Sequence, residues 1–195
     1  YFLMVKKHTP RLRSANEFSK GILDLRKTLE LAKSSMGDKD ALTESLHQEY
    51  FSNHAVRHKK DPHRRRAEQN KLANNVIIGL ANYELLDKKS YLLTAYAEQL
   101  LATLTDSDLY ESFAKHLLKN LDGVEMLETI RGMTLRKENI NKGTLAKQLG
   151  KDGFKTFQDK TISLSTTDHL KFLGWLRLAK ILPISGYEIN QDIYE

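Results

Sequence analysis

The chain has 195 residues, of which 40% are hydrophobic and 29% charged, the composition of a globular protein. Lysine and arginine number 31 against 25 aspartates and glutamates, so the net charge is +6, which favours anionic partners. Cysteine is absent, which excludes disulfides, thiolate metal sites and cysteine nucleophiles and suits a cytoplasmic protein. No apolar run approaches the roughly eighteen residues that a membrane span needs.

Apolar residues at three- and four-residue spacing predict that the first half of the chain is helical. The predicted elements are a strand at residues 2–5 and helices at residues 16–35, 40–51 and 62–82. Asn16 can cap the first of these helices. Pro62 suits the first turn of the third helix, because proline lacks the backbone N–H that this turn leaves without a partner.

Two apolar stretches around a polar turn follow the third helix. Residues 83–94 therefore predict a hairpin, and Thr94 can cap a helix over residues 95–104. The second half shows the same order of elements. It predicts helices at residues 107–121, 122–133, 144–149 and 165–180, and the last of these begins with a capping box from Ser165 to Asp168. It also predicts strand pairing at Ile140, an extended loop at residues 153–164 and a hairpin at residues 182–189. The predicted fold is mainly α with short β-hairpins.

The passage from the third helix into the first hairpin resembles a winged-helix domain. It reads GLANYELLDKKSYLLTAYAEQLL, and Ala97 stands where the family usually has glycine. The residues that match the family pattern are Tyr91, Leu93, Thr94, Leu100 and Leu101. The later passage HLKFLGWLRLAKILPISGYEIN resembles the same transition from helix to wing. The resemblance implies two winged-helix units, at residues 1–104 and 105–195.

The densest positive charge lies before and within the third predicted helix. Residues 57–71 read RHKKDPHRRRAEQNK, in which seven of fifteen residues are lysine or arginine and only Asp61 and Glu68 are acidic. We expect Leu72, Val76 and Leu80 to be buried. Helical geometry then places on the opposite side Arg64, Ala67, Lys71 and Asn74, with Glu68 and Asn75 beside them.

These side chains suit nucleic acid, because cations neutralise phosphates while asparagine and arginine read base edges in the major groove. The first turn of the helix also offers backbone N–H groups to a phosphate. An ordinary solvated basic loop is the competing interpretation, and for Thr166 and Thr167 helix capping competes with base reading. The predicted DNA-binding residues are Arg57, Lys59, Lys60, His63, Arg64, Arg65, Ala67, Glu68, Lys71, Asn74, Asn75, Lys88, Lys89, Lys155, Thr166, Thr167, His169 and Lys171.

No catalytic residue, metal site or cofactor is predicted. The chain has no glycine-rich phosphate loop and no Gly-x-Ser-x-Gly motif. The cluster of His47, His54, His58 and His63 is irregularly spaced, which disfavours a metal site. Glu125 and Glu128 share a helix without the strand context of a nuclease site, so we interpret them as surface charges.

The resemblance implies a function as well as a fold, because tandem winged helices occur in the DNA-recognition parts of some type II restriction endonucleases. The chain begins with Tyr1 and shows no signal peptide, so we expect a domain of a longer protein. The leading hypothesis is a sequence-specific double-stranded DNA-binding module of a bacterial restriction endonuclease or a similar DNA-processing protein. The alternatives are a stand-alone replication initiator or transcription regulator and, in a different class, a protein-interaction module with an acidic partner.

Overall fold

The computed structural model describes residues 8–15, 17–54 and 61–190. Within them the protein is mainly helical, as predicted. The helices are α1 (Leu25–Ser34), α2 (Lys39–Leu46), α3 (Pro62–Asn82), α4 (Ala95–Leu101), α5 (Asp106–Asn120), α6 (Gly123–Leu135), α7 (Lys142–Lys151) and α8 (Leu173–Leu178). A π-helical turn at His47–Phe51 continues α2, and a 3₁₀ helix at Leu164–Leu170 precedes α8. None of the helices in these ranges is long and apolar enough to cross a membrane.

Side-chain caps set where most of the helices begin. In each case a side-chain oxygen accepts a hydrogen bond from a backbone N–H that has no partner inside the helix. The capping residues are Asp24, Asp38, Asp61, Thr94, Thr105 and Asn141. The predicted cap at Thr94 is confirmed. The first helix begins at Leu25 instead of near residue 16, because Asp24 caps it; Asn16 itself lies outside the described residues.

Helix positions agree with the prediction where the local signals are strong. α3 covers the predicted residues 62–82, and α5, α6 and α7 differ from prediction by at most two residues at either end. α4 ends at Leu101, earlier than predicted. The first hairpin is reduced to one antiparallel bridge, between Leu86 and Leu93.

The strands join distant parts of the chain. β1 (Arg11–Leu12) and β2 (Lys155–Thr156) form a parallel pair in which Arg11 lies opposite Lys155. Ile140, which we expected to pair as a strand, instead lies outside any strand and packs against the core. The predicted strand at residues 2–5 lies outside the described residues.

The predicted long helix over residues 165–180 is wrong. The segment divides into the 3₁₀ helix and α8, and Thr166 has non-helical angles, with φ at −115° and ψ at 21°. The capping box is formed by Ser163 and Thr166 instead of beginning at Ser165: the Thr166 hydroxyl accepts from the Ser163 N–H at 2.7 Å. This cap closes a short turn, so the helix does not start where the sequence pattern suggested.

The second predicted hairpin, at residues 182–189, is also wrong. These residues are all described, and none forms a strand or a bridge. Arg177 donates instead to the carbonyl oxygens of Pro183 and Gly186, and its guanidinium lies 5.4 Å from the centre of the Tyr187 ring. The segment therefore folds around one side chain, and Pro183 has no N–H to offer a strand ladder.

An aromatic cluster lies at the centre of the core. The Phe18 ring is 5.4 Å from Tyr83 and 5.1 Å from Trp175, and Phe113 is 5.8 Å from Trp175. Two of these rings come from each half of the sequence, and all four are buried in one continuous hydrophobic cluster. The division into units at residue 104 stays a prediction, and the two halves share this buried centre.

Candidate nucleic-acid interface

α3 presents one face to the core and the other to water. Val76 and Leu80 are buried, as predicted, whereas Leu72 is only half-buried and Gln69 takes a buried position nearer the start of the helix. The buried stripe also includes Ala73, Ile77 and Gly79. The predicted two-sided character of this helix is therefore present, with its apolar stripe turned slightly from the expected position.

Gln69 fastens the start of α3 to the π-helical turn. Its Nε2 donates to the carbonyl oxygens of Ser52 at 3.0 Å and His54 at 3.2 Å. Its Oε1 lies 3.1 Å from Nε2 of His47. Gln69 and His47 are both buried, so these bonds satisfy polar atoms that are shielded from water.

Arg66 belongs to this network even though it lies in the basic stretch. Its Nη1 lies 2.8 Å from Nδ1 and 3.1 Å from Nε2 of His47, so the guanidinium lies against the imidazole ring that also contacts Gln69. The Nη2 of Arg66 pairs with the carboxylate of Glu44. Hydrogen bonds from Arg66 and then from Gln48 lower the pKa of Glu44. Arg66 thus holds α3 against α2 and the π-helical turn.

The outer face of α3 is open to solvent. Its exposed residues are His63, Arg64, Arg65, Ala67 and Lys71, and its half-buried residues are Glu68, Asn74 and Asn75. Nε of Arg64 lies 3.4 Å from a carboxylate oxygen of Asp61, whereas Arg65 and Lys71 have no carboxylate partner within the described residues. Cations and amides therefore share this face. Arg57, Lys59 and Lys60, which were also predicted to bind DNA, lie outside the described residues.

The start of α3 does not offer the free N–H groups that the sequence led us to expect. Asp61 caps the helix, and its Oδ1 accepts from the N–H groups of His63 at 3.0 Å and Arg64 at 3.1 Å. A phosphate at this position would have to displace a carboxylate and would meet its negative charge. Anion binding by α3 therefore depends on side chains further along the helix.

The turn after α3 is held by one carboxylate. Oδ1 of Asp87 accepts from the N–H of Lys89 at 3.0 Å and from the N–H and hydroxyl of Ser90 at 2.7 and 2.9 Å. These hydrogen bonds, with the Ser90 N–H as the strongest, lower the pKa of Asp87. Lys88 and Lys89 are consequently displayed on an ordered turn and are both exposed.

A groove of about 440 Å³ separates this turn from α3. It is lined by Lys39, Asn74, Ile77, Ile78, Ala81, Asn82, Lys88 and Tyr91. The turn at Gly37 packs directly on Ser90: φ of Gly37 is +84°, and a Cβ there would lie 2.7 Å from the Ser90 carbonyl oxygen. This close approach brings Lys39, at the start of α2, to 5.8 Å from the centre of the Tyr91 ring. The sequence showed no sign that α2 would contribute to the interface.

The predicted site residues of the second half have internal partners. Nζ of Lys171 lies 2.6 Å from a carboxylate oxygen of Asp168, and Nζ of Lys155 donates to the Thr161 hydroxyl at 2.7 Å. Nδ1 of His169 lies 3.0 Å from the carbonyl oxygen of Thr166. The capping role of Thr166 is present, and Thr167 is half-buried. Their contact with DNA stays a prediction.

Ser14 connects the 3₁₀ helix of the second half to α3. Its carbonyl oxygen accepts from Nδ2 of Asn82 at 3.0 Å, and its hydroxyl donates to Asp168 at 2.8 Å. Nearby, Arg13 donates to the carbonyl oxygen of Asn82 and pairs with Glu84 at 2.8 Å. The end of α3 is thereby fixed to the 3₁₀ helix of the second half.

A second cluster of polar side chains lies at the start of α6. The potential ligand atoms of His8, Asp122 and Glu125 all lie within 4.8 Å of one another. Nε2 of His8 is 2.6 Å from Oδ1 of Asp122, whose Oδ2 accepts from the N–H of Arg11 at 2.8 Å. These contacts attach β1 to α6. Because His8 and Asp122 are far apart in sequence, no local pattern could have indicated the cluster.

No protein-family model matches this chain, and neither curated protein sequences nor solved structures give a match. The exposed face of α3 and the groove beside it are therefore the features from which a function can be inferred. Both lie next to the same turn, and both carry lysines and asparagines.

Proposed function

We propose that this chain binds double-stranded DNA through the outer face of α3. The observation that carries the proposal is that Arg65 and Lys71 are exposed on α3. Neither side chain forms an ion pair with a carboxylate of the described residues. Exposed guanidinium and ammonium groups bind phosphates by releasing counterions, and this term supplies much of the affinity of DNA-binding proteins.

The amides of Asn74 and Asn75 support readout of sequence as well as backbone contact. Both are half-buried on the outer side of α3, further along the helix than Lys71. Asparagine can make paired hydrogen bonds to adenine in the major groove, which is wide enough to admit an α-helix. Phosphate contacts from the side chains of Arg65 and Lys71 would set the register, and the amides would then face the base edges.

The arrangement of the first half supports a winged-helix-like unit. α1 and α2 are followed by the long α3 and then by the bridge between Leu86 and Leu93, in the order that the resemblance implies. Since residues 182–189 form no hairpin, we confine this part of the proposal to residues 25–94. The further proposal is that the chain serves as the recognition domain of a bacterial restriction endonuclease or similar enzyme, whose catalytic part lies elsewhere in the full-length protein.

A salt titration with matched charge variants tests the DNA-binding proposal. Fluorescence anisotropy with a labelled random-sequence duplex should show affinity that falls steeply between about 50 and 200 mM salt. Replacing Arg64, Arg65 and Lys71 together by alanine should abolish this binding. A control that removes the same charge from exposed lysines elsewhere, at Lys119, Lys142 and Lys147, should bind almost as the unchanged protein does.

Equal loss of binding in the two triple variants would show that only net charge matters and would remove α3 from the proposal. Absence of duplex binding at the lowest salt would favour the other class of function, contact between α3 and an acidic protein. Circular dichroism of each variant checks that the fold is kept, which is expected because all six side chains are exposed.

A further inference from the structure

The groove beside α3 combines apolar walls with two cations at its edges. Its volume of about 440 Å³ lies in the range of small-ligand sites. Ile78 is 49% exposed, and it lines the groove together with Ile77, Ala81 and Tyr91. An apolar surface that is open to solvent can pack against a ring system.

Three polar side chains of the groove keep groups that can contact a ligand. Lys39 and Lys88 are exposed and have no carboxylate partner in the described parts of the chain. Nδ2 of Asn74 donates to the carbonyl oxygen of Asn70 at 3.1 Å, which leaves its Oδ1 as a hydrogen-bond acceptor. The groove thus offers an apolar wall, an amide acceptor and two ammonium groups.

The backbone of the groove is constrained before any ligand binds. Tyr91 has a φ of +56°, in the left-handed region that a tyrosine rarely adopts. Its N–H donates to the carbonyl oxygen of Asp87 at 3.0 Å, and the contact between Gly37 and Ser90 fixes the neighbouring turn. These contacts hold the left-handed backbone of Tyr91 in place without a ligand.

We propose that this groove binds one unpaired nucleotide of the DNA. The base lies on the apolar wall formed by Ile78 and Tyr91, and the phosphate is held by Lys39 and Lys88. When such a base is present, Oδ1 of Asn74 accepts from its exocyclic amino group instead of from a paired base, so adenine and cytosine are preferred to thymine. This inference rests on DNA binding by α3 and adds that the DNA is held best when one of its bases is outside the stack, as in proteins that extrude a base into a pocket.

Free nucleotides test the groove without any duplex. Titration of the protein with dAMP, dTMP and inorganic phosphate, followed by amide chemical shifts and calorimetry, should show dAMP binding at least about five-fold more tightly than phosphate, because the base adds its own contacts. dAMP should also bind more tightly than dTMP. The amide signals that move should include those of Asn74, Ile78 and Tyr91.

The chain supplies a matched pair of variants. Lys88 lines the groove and Lys89, its exposed neighbour on the same turn, does not. Lys88→Ala should weaken dAMP binding about three- to five-fold, the effect of one exposed charge contact, while Lys89→Ala leaves it unchanged. Ile78→Ser, at a half-exposed position that tolerates a polar group, should weaken dAMP binding and leave phosphate binding unchanged.

A duplex with a single unpaired adenine separates this inference from the proposed function. The protein should bind it more tightly than the fully paired duplex of the same sequence, and Ile78→Ser should remove the difference. Equal affinity for both duplexes, or dAMP binding no tighter than phosphate, would overturn the groove inference while leaving DNA binding by α3 in place. If neither duplex binds, the proposed function fails. The dAMP titration of Lys88→Ala and Lys89→Ala then tests separately whether the groove binds a nucleotide.

Discussion

Gly79 of α3 lies in direct contact with Phe18. A Cβ at position 79 would lie 2.3 Å from the Cβ of Phe18 and 2.8 Å from the carbonyl oxygen of Ala15. Phe18 in turn packs on Trp175, with ring centres 5.1 Å apart. The helix that carries the proposed DNA-binding face is therefore fixed to the shared core at a point where only glycine fits.

Gly79→Ala should destabilise the protein by about 1–3 kcal/mol or more, because the added methyl group would collide with Phe18 and with backbone. Urea unfolding measures the change. The control is Gly132→Ala in α6, where a Cβ would meet only the end of the Arg136 side chain, at 3.3 Å. That variant should be neutral or more stable by up to about 1 kcal/mol, because alanine favours a helix over glycine. Equal effects of the two substitutions would contradict the close packing at Gly79.

His116 should make stability depend on pH. Burial lowers its pKa, partly offset by the hydrogen bond from its Nε2 to the carbonyl oxygen of Tyr83 and by the charge of Glu84. The unfolded chain therefore takes up a proton at a higher pH than the folded protein does. The contribution of His116 to stability is therefore complete above about pH 6.5, the ordinary histidine pKa. It declines as the pH falls from there towards the lowered pKa of the folded protein.

The measurement compares urea unfolding of the unchanged protein and His116→Gln from pH 8 to about pH 5. The stability advantage of the unchanged protein should shrink as pH falls below about 6.5. His63→Gln, at an exposed position, is measured over the same pH range as the control for the loss of a surface histidine. If the difference in unfolding free energy between the unchanged protein and His116→Gln stays constant over this pH range, the pKa of His116 is the same in the folded and unfolded chain.

Acid should loosen the turn that displays Lys88 and Lys89. The hydrogen bonds from Ser90 and Lys89 lower the pKa of Asp87, so the folded turn is favoured above the carboxyl pKa of the unfolded chain, about 3.9. This contribution is lost as pH falls through the lowered pKa in the folded protein. The Ser90 amide chemical shift should be constant near neutral pH and should change only in acid below about pH 4. In Asp87→Asn that amide should lack the acid transition.

Lys71 should contribute one phosphate contact to the proposed complex. Lys71→Ala should then reduce the slope of log affinity against log salt by about 0.9 and weaken binding to all duplex sequences alike. Asn74→Ala, in contrast, should change the preference among sequences more than the salt slope. Lys147→Ala, an exposed lysine on α7, is the control for net charge. A salt slope that is the same with and without Lys71 would remove this residue from the interface.

Local signals were sufficient to locate α3 and its two faces. The signals for α3 are Pro62 in its first turn and the helical spacing of Val76 and Leu80, all within the helix itself. The cap at Thr94 likewise depends on residues at most three positions away. Helix caps and apolar periodicity depend on neighbours within a turn or two, so they can be read from the order of the residues. The cationic face of α3 follows from the same periodicity.

Contacts between distant residues were decided by the tertiary structure. Arg66 looks like its neighbours Arg64 and Arg65 in the sequence, and only the position of Glu44 and His47 makes it structural. The groove exists because the turn at Gly37 meets the turn at Ser90. Likewise, residues 182–189 have a hairpin pattern but fold around Arg177. In each case the partner is selected by the packing of whole helices, since side chains remote in sequence become neighbours only when the core has formed.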